Sequence, residues 1–138
     1  MSEIKLFLLP VFMQVILTIY VLLVMGARRR VAFKAGKVGR DAMLNDRSWP
    51  ADVLKASNNY QNQFEIPVLF YAASAIIVAA SAVNTAQIVM AWLFIAARIV
   101  HTTTHLGANT LSVRFVSFFV SLIAAACMWA ILAVRVFF

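Results

Sequence analysis

Four long apolar runs occupy most of this 138-residue chain. They cover about residues 4–26, 58–83, 86–106 and 111–134, and each is close to the ~20 residues that a helix needs to cross the hydrocarbon core of a bilayer. Hydrophobic residues make up 64% of the chain and charged residues only 12%, whereas soluble domains carry about 25% charged residues. The sequence therefore predicts an all-α membrane protein, a single domain built as a bundle of four transmembrane helices.

The first apolar run predicts a retained transmembrane helix rather than a signal peptide. No small-residue cleavage site precedes the arginines that follow Gly26, although a cleaved leader would need one. Pro10 lies inside this run. Because proline lacks a backbone N–H, it frees a carbonyl one turn earlier, and a neighbouring helix or a kink must accommodate that carbonyl.

Most of the positive charge lies in one segment, residues 27–57. The net charge is +7, and the segment contains Arg28, Arg29, Arg30, Lys34, Lys37, Arg40, Arg47 and Lys55 beside Asp41, Asp46 and Asp52. A basic block next to a span marks the cytoplasmic side and can lie against anionic lipid. We therefore expect a basic cytoplasmic loop, both termini on the extracytoplasmic side, and no role in nucleic-acid binding.

Polar residues in the second span form one stripe. Asn58, Asn62 and Glu65 follow a spacing of i, i+4, i+7, which places them on one face of a helix. Pro67 comes two residues later and predicts a kink, because it leaves the carbonyl of Gln63 without its helical donor. Ionisable groups inside a membrane are costly and are usually functional.

A second stripe lies on the third span, where Arg98, His101 and His105 are spaced i, i+3, i+7. Arg114 enters the first turns of the fourth span. All these positions lie toward the cytoplasmic ends of their helices, so they predict one polar cavity open to the basic loop. Glu65 is its only acid and is expected to pair with Arg98 or Arg114, which leaves an excess of positive charge for an anionic ligand.

Two simpler interpretations of these residues stay open. Glu65 and Arg98 can form a structural ion pair, with His101 and His105 as hydrogen-bonded packing residues. A zinc site on the two histidines has suitable i, i+4 spacing, but no cysteine is at hand to complete it and Glu65 has arginine competitors. We therefore predict no metal site.

At these residues the sequence resembles the MAPEG family, the membrane-associated proteins in eicosanoid and glutathione metabolism. Asn62-Gln-Phe-Glu65, followed by Pro67, resembles the family's Asn-x-x-Glu element. Arg98-Ile-Val-His101-Thr-Thr-Thr-His105-Leu-Gly107 resembles its Arg-x-x-His-x-x-x-Tyr-Leu-Gly element, and Arg114 matches the arginine that begins the fourth helix. The resemblance covers nearly the whole chain.

The resemblance implies a homotrimer that binds glutathione between neighbouring subunits near the cytoplasmic face. It implies that Arg114 stabilises the ionised thiol and acts as the catalytic residue. The implied ligand-binding residues are Asn58, Asn62, Glu65, Arg98, His101 and His105, with Arg28 or Arg29 from the end of the first helix.

The chain departs from catalytic members of the family at several positions. Asn58 and Gln61 stand where those members carry arginines, His105 replaces a tyrosine, and Phe115 often corresponds to a serine. Loss of two cations weakens the clamp for glutathione carboxylates. The pattern suggests a divergent bacterial-type member, located in the inner membrane.

Three functions are compatible with this sequence. The first is a glutathione-dependent transferase or peroxidase acting on lipophilic electrophiles or hydroperoxides that enter from the bilayer. The second is a small four-helix multidrug exporter relying on Glu65, and the third is a non-catalytic lipid-binding protein. The excess of cations around Glu65 favours the first, because cationic drugs would be repelled.

Overall fold

The described residues form five α-helices, which make up four units long enough to span a membrane. The computed structural model describes residues 2–42, 44–45 and 48–138, so Asp46 and Arg47 of the basic segment lie outside the described residues. The helices are α1 (Glu3–Lys34), α2 (Ala51–Gln61), α3 (Ile66–Ala79), α4 (Thr85–Leu106) and α5 (Leu111–Phe137), with a 3-10 segment (Asn62–Phe64) between α2 and α3. Helix α1, the α2–α3 unit, α4 and α5 are each long and apolar enough to cross a membrane, which confirms the predicted all-α fold with four spans.

The predicted loop 27–57 is too long, because helices enter it from both sides. Helix α1 continues through Lys34, since residues 27–34 contain neither glycine nor proline. It ends where Gly36 adopts a φ of 64°, a left-handed conformation that glycine reaches without steric cost, and the Lys37 N–H bonds to the Ala32 carbonyl at 3.0 Å. Helix α2 already begins at Ala51, which leaves residues 35–50 as the connection.

This connection is held by hydrogen bonds of its own. The Ser48 hydroxyl donates to Asp41 Oδ1 at 2.6 Å, and Asn45 Nδ2 donates to Oδ2 at 3.2 Å. Both bonds favour the ionised carboxylate and hold the pKa of Asp41 below its ordinary value. The Trp49 indole donates to the Ala42 carbonyl at 3.0 Å.

The second spanning unit is broken where Pro67 predicts a kink. Helix α2 ends at Gln61, the 3-10 segment follows, and α3 restarts at Ile66 with Pro67 in its first turn. The unit extends over residues 51–79 instead of the predicted 58–83. It stops early because Ser81 turns the chain with a φ of 52°, and the Ala82 N–H bonds back to the Ile77 carbonyl at 2.9 Å.

Helix α4 lies at the centre of the bundle and contacts α1, α2 and α5. Its Phe94 stacks on Phe70 of α3 with ring centroids 4.1 Å apart. Its Trp92 indole donates to the Leu6 carbonyl at 3.2 Å, the carbonyl that Pro10 leaves without a helical donor. A neighbouring helix thus accommodates the proline, as the sequence predicts.

Candidate functional site

The site begins at the break between α2 and α3. Since the chain leaves α-helical geometry at residues 62–65, the Asn62 carbonyl loses its α-helical donor and accepts a hydrogen bond from Arg98 Nη2 at 2.8 Å. Arg98 lies on α4 with 0% of its surface exposed. Its Nε and Nη1 have no hydrogen-bond partner in the described chain. The buried guanidinium of Arg98 therefore has two N–H donor groups, at Nε and Nη1, that bond to nothing in the described chain.

His101 lies one turn further along α4 and joins Asn62 to α5. Its Nδ1 is 3.0 Å from the Arg114 carbonyl, which can only accept, so Nδ1 carries the hydrogen of this bond. Its Nε2 is 3.5 Å from Asn62 Nδ2. In the neutral ring Nε2 is an acceptor, and this long contact points the amide of Asn62 toward it.

The Arg114 side chain is fixed by the turn between α4 and α5. Arg114 Nη1 donates to Asn109 Oδ1 at 2.7 Å. Asn109 has a φ of 56°, a left-handed conformation that asparagine tolerates better than most residues. Arg114 Nε is buried and has no hydrogen-bond partner in the part of the chain that the structure describes. Arg114 thus adds a second cation with an unused donor.

A small pocket lies over these residues. Its volume is about 210 Å³, and one side is polar while the other is apolar and aromatic. The lining residues are Asn62, His101, Leu111, Arg114, Phe115 and Phe118. The structure therefore brings together the predicted residues Asn62, His101 and Arg114, with Arg98 bonded to Asn62 behind them.

The predicted stripe Asn58, Asn62, Glu65 is not a single inward face. Asn58 and Glu65 are exposed on the surface of the chain, whereas Asn59 and Gln63 are 0% and 1% exposed. The 3-10 segment turns by a larger angle per residue than an α-helix. The i, i+4, i+7 spacing of an unbroken α-helix therefore predicted the wrong inward face. The i, i+4 pair of amides at 59 and 63 was the signal that could have identified the inward face.

The predicted ion pair between Glu65 and Arg98 or Arg114 is also absent among the described residues. Arg98 bonds to a backbone carbonyl and Arg114 to an asparagine oxygen instead. Glu65 stands between the 3-10 segment and α3 and is exposed. Its charge acts on Arg98 without a direct ion pair, so among the described residues neither Arg98 nor Arg114 has an acidic hydrogen-bond partner.

The other predicted ligand residues lie beside the pocket or further from it. His105 is buried at 2% exposure and meets the His101 ring edge-on, with centroids 5.7 Å apart. Arg28 ties three elements together, because it donates to the carbonyls of Asp52 at 2.8 Å and Leu106 at 3.0 Å. Arg29 lies over the Trp49 ring at 5.2 Å. Arg29 also donates to the Ser57 hydroxyl at 3.3 Å, so both arginines connect the end of α1 to neighbouring helices.

No metal centre is present among the described residues, since none of them form a group of three histidine, cysteine, aspartate or glutamate side chains able to hold an ion. The arrangement instead offers cationic and amide donors. Such donors suit an anion with several oxygen atoms.

Comparison with known proteins gives one match. The model of the MAPEG family matches residues 7–134, nearly the whole chain and all four spans. No curated protein and no solved structure matches.

Proposed function

Because the chain belongs to the MAPEG family, we propose that it is a membrane-bound glutathione-dependent transferase or peroxidase acting on lipophilic electrophiles or hydroperoxides. One observation carries the proposal. Arg98 and Arg114 present unused donors around Asn62 and His101, and the described residues pair neither arginine with an acid. A site with this charge favours an anion over a cation.

Glutathione fits this donor set, because it carries two carboxylates and a thiol. Arg98 would attract a carboxylate from behind Asn62 through its charge, which no acidic hydrogen-bond partner among the described residues offsets. Asn62 would orient the peptide, and Arg114 would stabilise the ionised thiol. When bound, glutathione supplies the sulfur nucleophile.

The apolar side of the pocket has a separate task. Leu111, Phe115 and Phe118 line it, and Phe115 is 61% exposed. These side chains would guide a lipophilic substrate from the bilayer toward Arg114 and exclude water from the reacting atoms.

The proposed site is completed by a neighbouring subunit. A pocket of about 210 Å³ is smaller than the roughly 300–1,000 Å³ of ordinary ligand sites. Asn58 and Glu65 lie exposed on the same broken unit, where lipid would leave them without partners. We propose a homotrimer in which another copy covers these residues and encloses the ligand, with the pocket on the cytoplasmic side.

The test is turnover in proteoliposomes with glutathione and either a chlorodinitro aromatic compound or a lipid hydroperoxide. We expect one of these reactions to exceed the protein-free rate and to fall in Arg114→Ala. Arg135→Ala is the matched control, because Arg135 lies exposed at the opposite end of α5. Its activity should equal that of the unmodified protein.

Two outcomes would overturn the proposal. Glutathione binding without turnover on any electrophile or hydroperoxide would favour a non-catalytic protein. Proton-driven uptake of a cationic drug, abolished in Glu65→Gln, would instead favour an exporter.

A further inference from the structure

A chain of three buried amide side chains and one hydroxyl crosses the bundle behind the candidate site. It consists of Gln14 on α1, Asn59 on α2, Gln63 in the 3-10 segment and Thr102 on α4, and each is at most 1% exposed. Gln14 Nε2 donates to Gln63 Oε1 at 2.9 Å. Gln63 Nε2 lies 3.0 Å from Asn59 Oδ1 and 3.3 Å from Thr102 Oγ1.

Gln63 is the residue that connects these amides to the site. It follows Asn62 directly, and successive side chains of a 3-10 helix point about 120° apart. Gln63 therefore points into the bundle, while the Asn62 side chain points toward His101 and the Asn62 backbone carbonyl accepts from Arg98. Any rotation of the segment about its axis moves both side chains together.

The backbone fixes this rotation from the α2 side only, where the Asn62 N–H continues the helical ladder to the Asn58 carbonyl. Pro67 lacks the N–H that would continue the helical ladder, and the first bond after the break, from the Val68 N–H to the Glu65 carbonyl, is long at 3.3 Å. In a membrane interior, water is scarce, so side chains must satisfy and orient such a segment. Gln14 supplies this contact from a different helix.

We propose that the Gln14–Gln63 hydrogen bond is a positioning device for the anion site. It fixes the rotation of the 3-10 segment and so places the Asn62 carbonyl on Arg98 and the Asn62 amide beside His101. Gln14 and Gln63 are positioning residues that act through Asn62 and do not touch the ligand. The identity of that ligand rests on the proposed function, whereas the geometric role does not.

Gln63→Met and Gln14→Met test this role, with Gln87→Met as the matched control. Gln87 is also 0% exposed and also donates to a carbonyl of another helix, that of Met128 at 3.1 Å. It lies in the first turn of α4, whereas Arg98 is three turns further along. All three variants lose one buried amide and keep a side chain of similar length.

Two measurements in nanodiscs separate positioning from general stability. We expect hydrogen exchange at the amides of residues 62–66 to rise at least about tenfold in Gln63→Met and Gln14→Met, but not in Gln87→Met. We expect the Kd for glutathione to rise about tenfold or more in the same two variants, because small displacements of a binding group are costly. The double variant should bind no more weakly than Gln63→Met, since both act through one bond.

The role is refuted if Gln63→Met keeps normal exchange at residues 62–66. It is also refuted if Gln87→Met and Gln63→Met lower the melting temperature equally and weaken glutathione binding equally. If the unmodified protein does not bind glutathione, the proposed function fails, and the exchange comparison alone decides on the positioning role.

Discussion

At the scale of single residues, local backbone geometry positions the side chain of Arg114, the proposed catalytic residue. Asn109 adopts a left-handed conformation in the turn between α4 and α5 and accepts a hydrogen bond from Arg114 Nη1. The Arg114 carbonyl meanwhile accepts from His101. The residue is thus held at both its main chain and its side chain, while Nε stays unused.

Arg114→Ala should lower turnover about a hundredfold while weakening glutathione binding less. The reason is that its charge stabilises a thiolate that develops toward the transition state. Asn109→Gly keeps the left-handed backbone accessible but removes the anchor, so we expect an intermediate loss of about tenfold in turnover. Steady-state kinetics with calorimetric Kd values measures both. Equal losses of binding and turnover in Arg114→Ala would contradict this role.

Arg98 is expected to serve binding rather than stability. Its guanidinium is fully buried with two unused nitrogens, and replacing a buried charge by an apolar side chain of similar volume is often neutral or stabilising. Arg98→Met removes the buried charge but also the donor to the Asn62 carbonyl, two opposite effects on stability, so the melting temperature should change little while glutathione binding weakens at least about tenfold. Arg98→Lys, which keeps the charge but loses the planar fork, should also bind weakly. A large drop in melting temperature with normal binding would show that Arg98 is structural.

At the scale of helices, the break between α2 and α3 determines the site. Pro67 interrupts the ladder, the 3-10 segment forms, and the Asn62 carbonyl becomes available to Arg98. In an unbroken α-helix, that carbonyl would accept a hydrogen bond from the Ile66 N–H and would no longer be available to Arg98. A membrane helix can tolerate such a break only where another helix supplies the missing partner.

Pro67→Ala should restore part of the ladder and weaken glutathione binding. The new N–H at position 67 can bond the Gln63 carbonyl, which favours a continuous helix and withdraws the Asn62 carbonyl from Arg98. Pro10→Ala is the matched control, because Pro10 also lies in a membrane helix, the unbroken α1, but near the other end of the bundle beside Trp92. Circular dichroism should show a gain of helix only in Pro67→Ala, and calorimetry should show lost affinity only in the same variant. Unchanged affinity in Pro67→Ala would contradict the role of the break.

The sequence predicts helices better than it predicts faces. The length of the apolar runs predicts the four spans. Pro10 predicts the carbonyl that a neighbouring helix binds, and Pro67 predicts the break between α2 and α3. These features depend on local chemistry. The prediction that Asn58, Asn62 and Glu65 share one inward face was wrong. It assumed a single unbroken α-helix, whereas the 3-10 segment has fewer residues per turn. The contact between Gln14 and Gln63 joins residues 49 positions apart, so no local pattern could reveal it. The bonds of Arg28 to α2 and α4 were hidden for the same reason.

At the scale of the whole molecule, the exposed polar residues support the proposed trimer. Apolar side chains such as Phe12, Ile16 and Leu23 are more than 60% exposed, as expected of helices that face lipid. Glu65 and Asn58 are exposed as well, although lipid offers them no partner. A neighbouring subunit would cover them and enlarge the small pocket beside Arg114.

Chemical crosslinking in mild detergent should therefore yield a trimer as the largest major species. The bands should be independent of protein concentration over a wide range, which distinguishes assembly from chance collisions. Glu65→Lys should reduce the fraction of trimer. It adds a cation to a site that already contains Arg98 and Arg114, neither of which has an acidic hydrogen-bond partner among the described residues. Monomer and dimer alone, with no trimer at any concentration, would contradict the proposed assembly.

The central claim is that the two arginines bind glutathione and ionise its thiol. Ionised thiols absorb at about 240 nm, whereas neutral thiols do not, so the most direct measurement is the absorbance difference when glutathione is titrated into the protein in nanodiscs at neutral pH. We predict a saturable rise in the unmodified protein, saturable binding without this rise in Arg114→Ala, and neither in Arg98→Met. An unmodified protein that shows no saturable signal and no calorimetric binding at millimolar glutathione would contradict the account.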